Sequence, residues 1–341
     1  MLVAILHNAV AEDAPADERD VLVQAEAVSE ALRSLGHEPV TVSVTLDLEG
    51  LVHRLREVRP AVAFNLVEAL GGTDRLSPVA PLLCSAIGVA CTGNDADALH
   101  VTNSKHLTKQ RLTATAIPTP TAVYLRGDRI AIEGKTSALS FPARFLLKAV
   151  HEHASFGMDD GAVITASSID EVASAISDRH RQFGKPFFAE AFIDGREFNL
   201  SVLDRGDGTP EVLPAAEITF ETFPADKPRI VGYAAKWVSD SFEYSETPRR
   251  FDFGPEDKHL LEELRELAEQ TWHALGLAGY ARVDFRVDEQ GRSWVIEANA
   301  NPCLSLDAGF AAALANCGIA YKEAIRRIIA AASARNGKYH Q

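Results

Sequence analysis

Apolar and polar positions along the chain fall into two alternating rhythms. Residues 2–6 form an unbroken apolar run, read as a buried strand. Val21, Ala25, Val28, Leu32 and Leu35 then recur at helical spacing up to Gly36. Glu38–Val44 reads as a second strand, Leu48–Val58 as a helix closed by Pro60, and residues 61–67 as a third apolar strand. This β-α-β-α-β order implies parallel strands joined by right-handed crossovers. Residues 1–97 are therefore expected to form one α/β domain, with residues 98–184 and 185–341 as two further units.

Beyond residue 97 the rhythm mixes helices with hairpins. Asn94 is placed to cap a helix running to about Ala116, after which Pro118 and Pro120 break the chain. Residues 121–125 and 145–150 read as strands. Ser168 and Glu171 form a capping box that opens a helix ending near Phe183. Residues 186–193 and 197–203 are two more strands, and Asp194-Gly195 between them predicts a hairpin. Pro255 and Gly276 bracket a further helix. Residues 280–287 and 293–298 form a second hairpin around residues 288–292, and the alanine-rich tail from Phe310 reads as helical.

Composition narrows the function classes. Hydrophobic residues make up 46% and charged residues 24%, values of an ordinary globular protein. The net charge of −14 argues against a nucleic-acid surface or a polybasic membrane patch, but not against a locally basic pocket for an anionic nucleotide. Cys84, Cys91, Cys303 and Cys317 include no CxxC pair, and are read as reduced thiols of a cytoplasmic protein. The N-terminus lacks the basic region of a signal peptide, and no stretch approaches the roughly 20 apolar residues of a membrane span. A dinucleotide-binding dehydrogenase would need a glycine-rich turn after the first strand; residues 7–35 contain no glycine.

The most informative chemistry lies in the second hairpin. Arg282, Asp284 and Arg286 share one face of its first strand, and Val283, Phe285 and Val287 the other. Glu297 and Asn299 share a face of the second strand. Folding about Gln290 sets Asp284 across from Glu297, so that two carboxylates and an amide oxygen converge beside an arginine. Mg²⁺, with Mn²⁺ as an alternative, takes such hard oxygen ligands and completes its octahedron with phosphate and water. A merely solvated polar face is the plain alternative, but nothing in it calls for Asn299 and Pro302 to follow directly.

Arg282-Val283-Asp284-Phe285, followed by Glu297-Ala298-Asn299-Ala300-Asn301-Pro302, resembles the C-terminal motif of the D-alanine–D-alanine ligase family of ATP-grasp enzymes. The resemblance runs from about Ala61 to Ile329. Lys105 and Lys109 precede Ile117-Pro118-Thr119-Pro120, as in the family's lysine-bearing helix and turn. Phe141-Pro142 leading to Lys148, the loop Ser155-Phe156-Gly157-Met158, the segment Glu190–Glu197, and Ala235-Lys236-Trp237 follow in the expected order.

The resemblance implies a parallel α/β domain followed by a two-part ATP-grasp fold, with ATP held between the two α+β halves. Lys105, Lys148 and Lys236 would contact phosphates, and Ser155 would lie in the loop covering them. Glu190 and the backbone of Ala191, Phe192 and Ile193 would read adenine against Ile296, and Glu197 would bond ribose. Asp284, Glu297 and Asn299 would hold the metal, while Arg282 and Lys236 would be catalytic. The implied reaction joins a carboxylate to an amine through an acyl phosphate. The implied partners are ATP and two small substrates, amino-acid or peptide-like, with no nucleic acid and no membrane; a homodimer is compatible with it.

The substrate half departs from the family pattern. The family carries a His-Gly pair before a Gly-Glu-Asp-Gly loop; here the stretch reads Phe64-Asn65-Leu66-Val67-Glu68-Ala69-Leu70-Gly71-Gly72-Thr73-Asp74. Ala154-Ser155 stands where the family has paired serines, Trp237 where it has tyrosine, and Cys303 where it has glycine. These losses predict a product other than D-alanyl-D-alanine, unless Ser305, Asp307 or Glu18 restores the contacts. A true D-alanine–D-alanine ligase and a non-catalytic nucleotide-binding homologue are the rival readings. His151-Glu152-His153 offers two zinc-type ligands but no evident third, and is read instead as part of a loop over the phosphates, hinged at Gly157 and Gly161.

Overall fold

The computed structural model describes residues 1–127, 129–134 and 139–339. The first sheet contains β1 (Leu2–Asn8), β2 (Glu38–Val44), β3 (Val62–Asn65) and β4 (Ala90–Cys91), all parallel, in the order β2-β1-β3-β4. Helices α1 (Ala16–Ser34), α2 (Leu48–Val58) and α3 (Val79–Ala86) cover it. Both faces of β1 are buried, which is why it reads as continuous hydrophobics rather than as an alternation.

Two short helices, α4 (Ala96–Thr102) and α5 (Lys105–Ala114), replace the single helix expected after Asn94. Their N-caps are Asp95, which accepts from Ala98 N–H at 2.9 Å, and Ser104, which accepts from Leu107 N–H at 3.4 Å. Asn94 is not a cap. Its Nδ2 donates to the carbonyls of Tyr280 (2.8 Å) and Ala300 (2.6 Å), and its Oδ1 accepts from Ala278 N–H (2.7 Å). Local preference cannot separate a cap from such a clamp, because both exploit the same short amide.

The second sheet holds β5 (Ala122–Arg126), β6 (Arg129–Glu133), β7 (Ala143–Ala149), β8 (Val163–Ala166) and β9 (Phe187–Ala191), in the antiparallel order β6-β5-β9-β7-β8. Helix α6 (Ile169–Phe183) packs on it. Ser168 caps this helix by accepting from Glu171 N–H at 3.2 Å, and the Glu171 carboxylate returns the bond to Ser167 N–H at 2.7 Å.

The third sheet contains β10 (Gly195–Asp204), β11 (Pro210–Val212), β12 (Ala216–Ile218), β13 (Arg249–Arg250), β14 (Tyr280–Asp288) and β15 (Ser293–Asn299). Its main path is β13-β12-β10-β14-β15, with β11 on β10. Short helices α7 (Tyr233–Trp237) and α8 (Phe242–Ser245) lie before β13. Helix α9 (Lys258–Leu275) presents Leu264, Leu267, Ala268, Trp272 and Leu275 to Val283, Phe285, Val287 and Val295. Ala98, Leu99 and Leu112 of α4 and α5 join this core.

The hairpin expected at Asp194-Gly195 does not form: β9 belongs to the second sheet and β10 to the third. Residues 192–194 are the crossing between the two halves. Gly195 serves a close approach rather than a tight turn. Its φ is +143°, and a Cβ there would lie 2.0 Å from the carbonyl oxygen of Val287.

Helices α10 (Gly309–Asn316) and α11 (Tyr321–Tyr339) return to the first sheet. Phe310, Ile325, Ile328 and Ile329 share a core with Val3, Ile5, Val21, Val28 and Leu32. The chain from Asn301 to Ala308 therefore runs between the β14–β15 hairpin and the N-terminal sheet. No helix among the described residues is long and apolar enough to cross a membrane.

Candidate active site

The site starts from the β14–β15 hairpin. Asp284 pairs directly with Glu297, and Arg282 with Asn299. Between Asp284 and Phe285 the register slips, so that Phe285 faces Val295 and Ile296 is the additional residue. In a regular strand Ile296 and Glu297 would point to opposite faces. The bulge turns both onto one cavity, while Val295 and Ala298 stay in the core.

That cavity, of about 750 Å³, is lined by all the residues to which the resemblance gave a nucleotide, metal or catalytic role: Lys105, Lys148, Ser155, Glu190, Ala191, Phe192, Ile193, Glu197, Lys236, Arg282, Asp284, Ile296, Glu297 and Asn299. At the end formed by Lys148 and Glu190 lies a buried charge network. The Lys148 ammonium donates to Glu190 Oε1 at 3.2 Å, and Lys109 sits 2.9 Å from Glu190 Oε2. Lys109 also donates to Thr119 Oγ1 at 2.9 Å and to the Pro120 carbonyl at 3.0 Å. Burial alone would raise the Glu190 pKa, but the two lysines outweigh it and hold the carboxyl below its ordinary range. Lys109 was not among the site residues expected from the sequence; a buried lysine of an otherwise polar helix looks the same there as a surface one.

Glu297 is held similarly. Lys105 lies 3.7 Å away, and the His153 ring nitrogen Nδ1 lies 3.2 Å from Glu297 Oε1. Burial works against ionisation, but Lys105, the His153 hydrogen bond and Lys148 keep the carboxyl well below its usual value. Lys105 donates to the Glu152 carbonyl at 2.7 Å. His151 and His153 both turn toward Asn103, with ring nitrogens 3.2 Å from its carbonyl and 3.1 Å from its Oδ1. His153, read from the sequence as part of a covering loop, thus reaches Glu297 itself.

Arg282 grips Asp284 with two nitrogens, Nε to Oδ1 at 2.7 Å and Nη2 to Oδ2 at 2.8 Å. Asn199 donates to the same Oδ1 at 2.8 Å. Asn299 Oδ1 accepts from Asn301 N–H at 2.9 Å. Glu197 pairs with Arg286 at 3.1 Å. Lys236 faces the cavity, and burial followed by the neighbouring Arg282 lowers its pKa.

Leu146, Phe192, Ile230 and Ile296 supply apolar wall beside this network. Ala191 N–H donates to the Thr121 carbonyl at 2.8 Å and Phe192 N–H to the Arg144 carbonyl at 3.0 Å, while the N–H groups of Ile193 and Asp194 donate to no described residue. The loop at residues 154–158 is docked rather than loose. Ser155 Oγ donates to the Val231 carbonyl at 2.8 Å, Trp237 Nε1 to the Ala154 carbonyl at 3.2 Å, and Tyr233 N–H to the Met158 carbonyl at 3.1 Å. Ala154 and Ser155 adopt left-handed backbone, with φ of 55° and 60°. Such strain in non-glycine residues persists only where surrounding contacts enforce it.

Known proteins resemble this chain in sequence and in fold. A sequence model of the family described as "D-ala D-ala ligase C-terminus" matches residues 117–330. The chain is 30% identical to the D-alanine–D-alanine ligase of Moorella thermoacetica, over 94% of this chain and 97% of that one. The chain belongs to the D-alanine–D-alanine ligase family. A second relative, the ligase of Methylococcus capsulatus, is 31% identical over 92% of each chain. The fold is shared with the D-alanine–D-alanine ligase of Bacillus anthracis solved in complex with ATP, at a TM-score of 0.74, 17% identity and 99% coverage of both chains. Members of the D-alanine–D-alanine ligase family are ATP-grasp ligases that form carbon–nitrogen bonds and release ADP.

The other end of the cavity departs from the D-alanine–D-alanine ligase family pattern. Glu68, in the stretch that lacks the family's His-Gly pair, lies on the cavity wall with Asn8, Asp17 and Asp20. Gln24 donates to both Asp20 (3.0 Å) and Glu68 (2.9 Å), and Cys303 and Ser305 donate to Asp20 at 3.0 and 2.9 Å. Ser305 is thereby tied to α1. Residues this far apart in the chain give no signal of their convergence.

Proposed function

We propose that this chain is an ATP-dependent carboxylate–amine ligase whose product is not D-alanyl-D-alanine. The observation that carries the reading is Asp284 opposite Glu297, with Asn299 and Arg282 in the next pair, in one cavity with three lysines.

Asp284, Glu297 and Asn299 offer hard oxygen donors from one strand pair, a donor set that fits Mg²⁺ or Mn²⁺. A divalent cation held there supplies charge neutralisation on the phosphate oxygens. Lys105, Lys148 and Lys236 bind and orient the triphosphate, and the docked loop at Ser155 excludes water from it. Ile296 and Phe192 flank the adenine, Ile193 N–H and the backbone around Ala191 read its edge, and Glu190 accepts from its amino group while staying anchored by Lys109 and Lys148. Glu197 accepts from ribose hydroxyls.

The substrate carboxylate attacks the γ-phosphorus, and ADP leaves. The resulting acyl phosphate is attacked at its carbonyl carbon by the amine, and phosphate departs. Arg282 uses Nε and Nη2 on Asp284, which leaves Nη1 to donate to the oxyanion of the tetrahedral intermediate.

The product reading rests on the substrate wall. Ala154, Trp237 and Cys303 replace the family's residues, the stretch 64–75 lacks its His-Gly pair, and Ser305 is committed to Asp20. A site that leaves small charged groups unpaired discriminates strongly against them. The test is phosphate release with D-alanine alone, beside a panel of amino acids and dipeptides. Turnover on panel members but not on D-alanine is expected; efficient recovery of D-alanyl-D-alanine would overturn this reading.

A further inference from the structure

The two ends of the cavity differ in how their carboxylates are neutralised. At the nucleotide end each has a cationic partner: Glu190 with Lys109 and Lys148, Glu197 with Arg286, Asp284 with Arg282, Glu297 with Lys105. On the facing wall, Asp17, Asp20 and Glu68 have no lysine or arginine within ion-pair distance among the described residues. Neutral donors hold them instead: Gln24 bridges Asp20 and Glu68, Cys303 and Ser305 donate to Asp20, and Tyr233 donates to Asp17 at 3.2 Å. Leu304 N–H donates to Gln24 Oε1 at 3.0 Å, which fixes the Gln24 amide with its NH₂ toward the carboxylates.

A second observation points to a ligand. Asn8 is 9% exposed and lies on the same wall. Its Oδ1 accepts from Glu68 N–H at 3.3 Å, while its Nδ2 donates to no described residue. This nitrogen opens onto the cavity, where a bound molecule can supply an acceptor in place of water. The charge state agrees. Burial, followed by Asp20, Asp74 and Asp17, pushes the Glu68 carboxyl up to about 8 although Gln24 donates to it. The wall is short of positive charge.

We infer that this end of the cavity takes a substrate carrying two positive charges: an amino acid or amine with a second ammonium or guanidinium group. One cation sits among Asp17, Asp20 and Glu68, and a neighbouring polar atom of the substrate accepts from Asn8. A simple amino acid brings one ammonium, which satisfies one carboxylate and leaves the others confined together. The inference rests on the ligase reading for the words "substrate" and "end", but the charge pattern is independent of turnover.

The test is calorimetric titration of the full chain, saturated with Mg²⁺ and a non-hydrolysable ATP analogue, with lysine, ornithine and arginine against alanine and glutamate, in both enantiomers. At least one basic compound should bind roughly tenfold or more tighter than alanine. Glu68→Gln and Asp17→Asn should each erase that preference while the affinity for the ATP analogue, serving as the folding control, is unchanged. Equal binding of alanine, no binding of any basic compound, an undiminished preference in both variants, or displacement of lysine by excess Mg²⁺ would overturn the inference. If ADP release then fails with every compound bound, the ligase reading falls while the calorimetric preference stands.

Discussion

Asp284 stands directly across the β14–β15 ladder from Glu297, and one bulged residue, Ile296, separates their pairing from the regular register that follows. Without the bulge, Ile296 would lie in the core and the cavity would lose either its apolar wall or its second carboxylate.

Glu297→Gln should lower ATP turnover at least roughly a hundredfold, about 2.7 kcal/mol of transition-state stabilisation. The substitution keeps shape and removes the charge held by Lys105 and His153. Circular dichroism should still show a fully folded chain at the assay temperature. Near-normal turnover would remove Glu297 from the proposed metal set.

Lys109→Met should destabilise the protein by about 3 kcal/mol, because Glu190 is buried and would be left with one cation in place of two. Denaturant unfolding measures this, and adding Glu190→Gln to the same chain should recover part of the loss. Lys148→Ala should raise the ATP dissociation constant roughly tenfold or more, since it removes a charge-assisted contact. An unchanged constant would leave Lys148 a purely structural partner of Glu190.

The pH dependence of stability should carry the signature of Glu68. Its carboxyl is raised from the ordinary 4.5 to about 8. The folded chain therefore keeps a proton that the unfolded chain has lost between those values. Its contribution to stability is complete below the lower value and is lost as pH rises through the upper one. Glu68→Gln, which cannot ionise, should match wild type in acid and become the more stable protein as pH rises across this window. Parallel melting curves for the two proteins would contradict the assignment.

Asn94→Ala should cost about 2–4 kcal/mol in denaturant unfolding, since two buried backbone carbonyls, of residues 280 and 300, and the part-buried N–H of residue 278 lose their partner. A cap role would predict only about 1 kcal/mol.

Much of this was legible in the sequence because it is written in short-range patterns. The parallel βα order, the capping box at Ser168 and Glu171, and the pairing of Asp284 with Glu297 all follow from local periodicity. The failures share one cause. Asp194-Gly195 carries the chemistry of a tight turn, yet the glycine serves the passage of β10 beside Val287 in another sheet. Asn94 has the chemistry of a cap, yet Asp95 caps and Asn94 clamps. In both cases the residue type was read correctly and its partner lay some 90 residues or more away in the chain. The grip of Lys109 and Lys148 on Glu190 and the wall formed by Asp17, Asp20 and Glu68 likewise exist only after distant segments meet.

The most direct test of the account uses pooled amino acids and dipeptides labelled with ¹⁸O in their carboxylates, incubated with ATP and Mg²⁺. Attack of a carboxylate on ATP followed by displacement by an amine moves one carboxylate oxygen into the released phosphate. The account predicts ADP together with phosphate carrying a single ¹⁸O by mass spectrometry; ADP with unlabelled phosphate alone, or no ADP above the protein-free control, would contradict it.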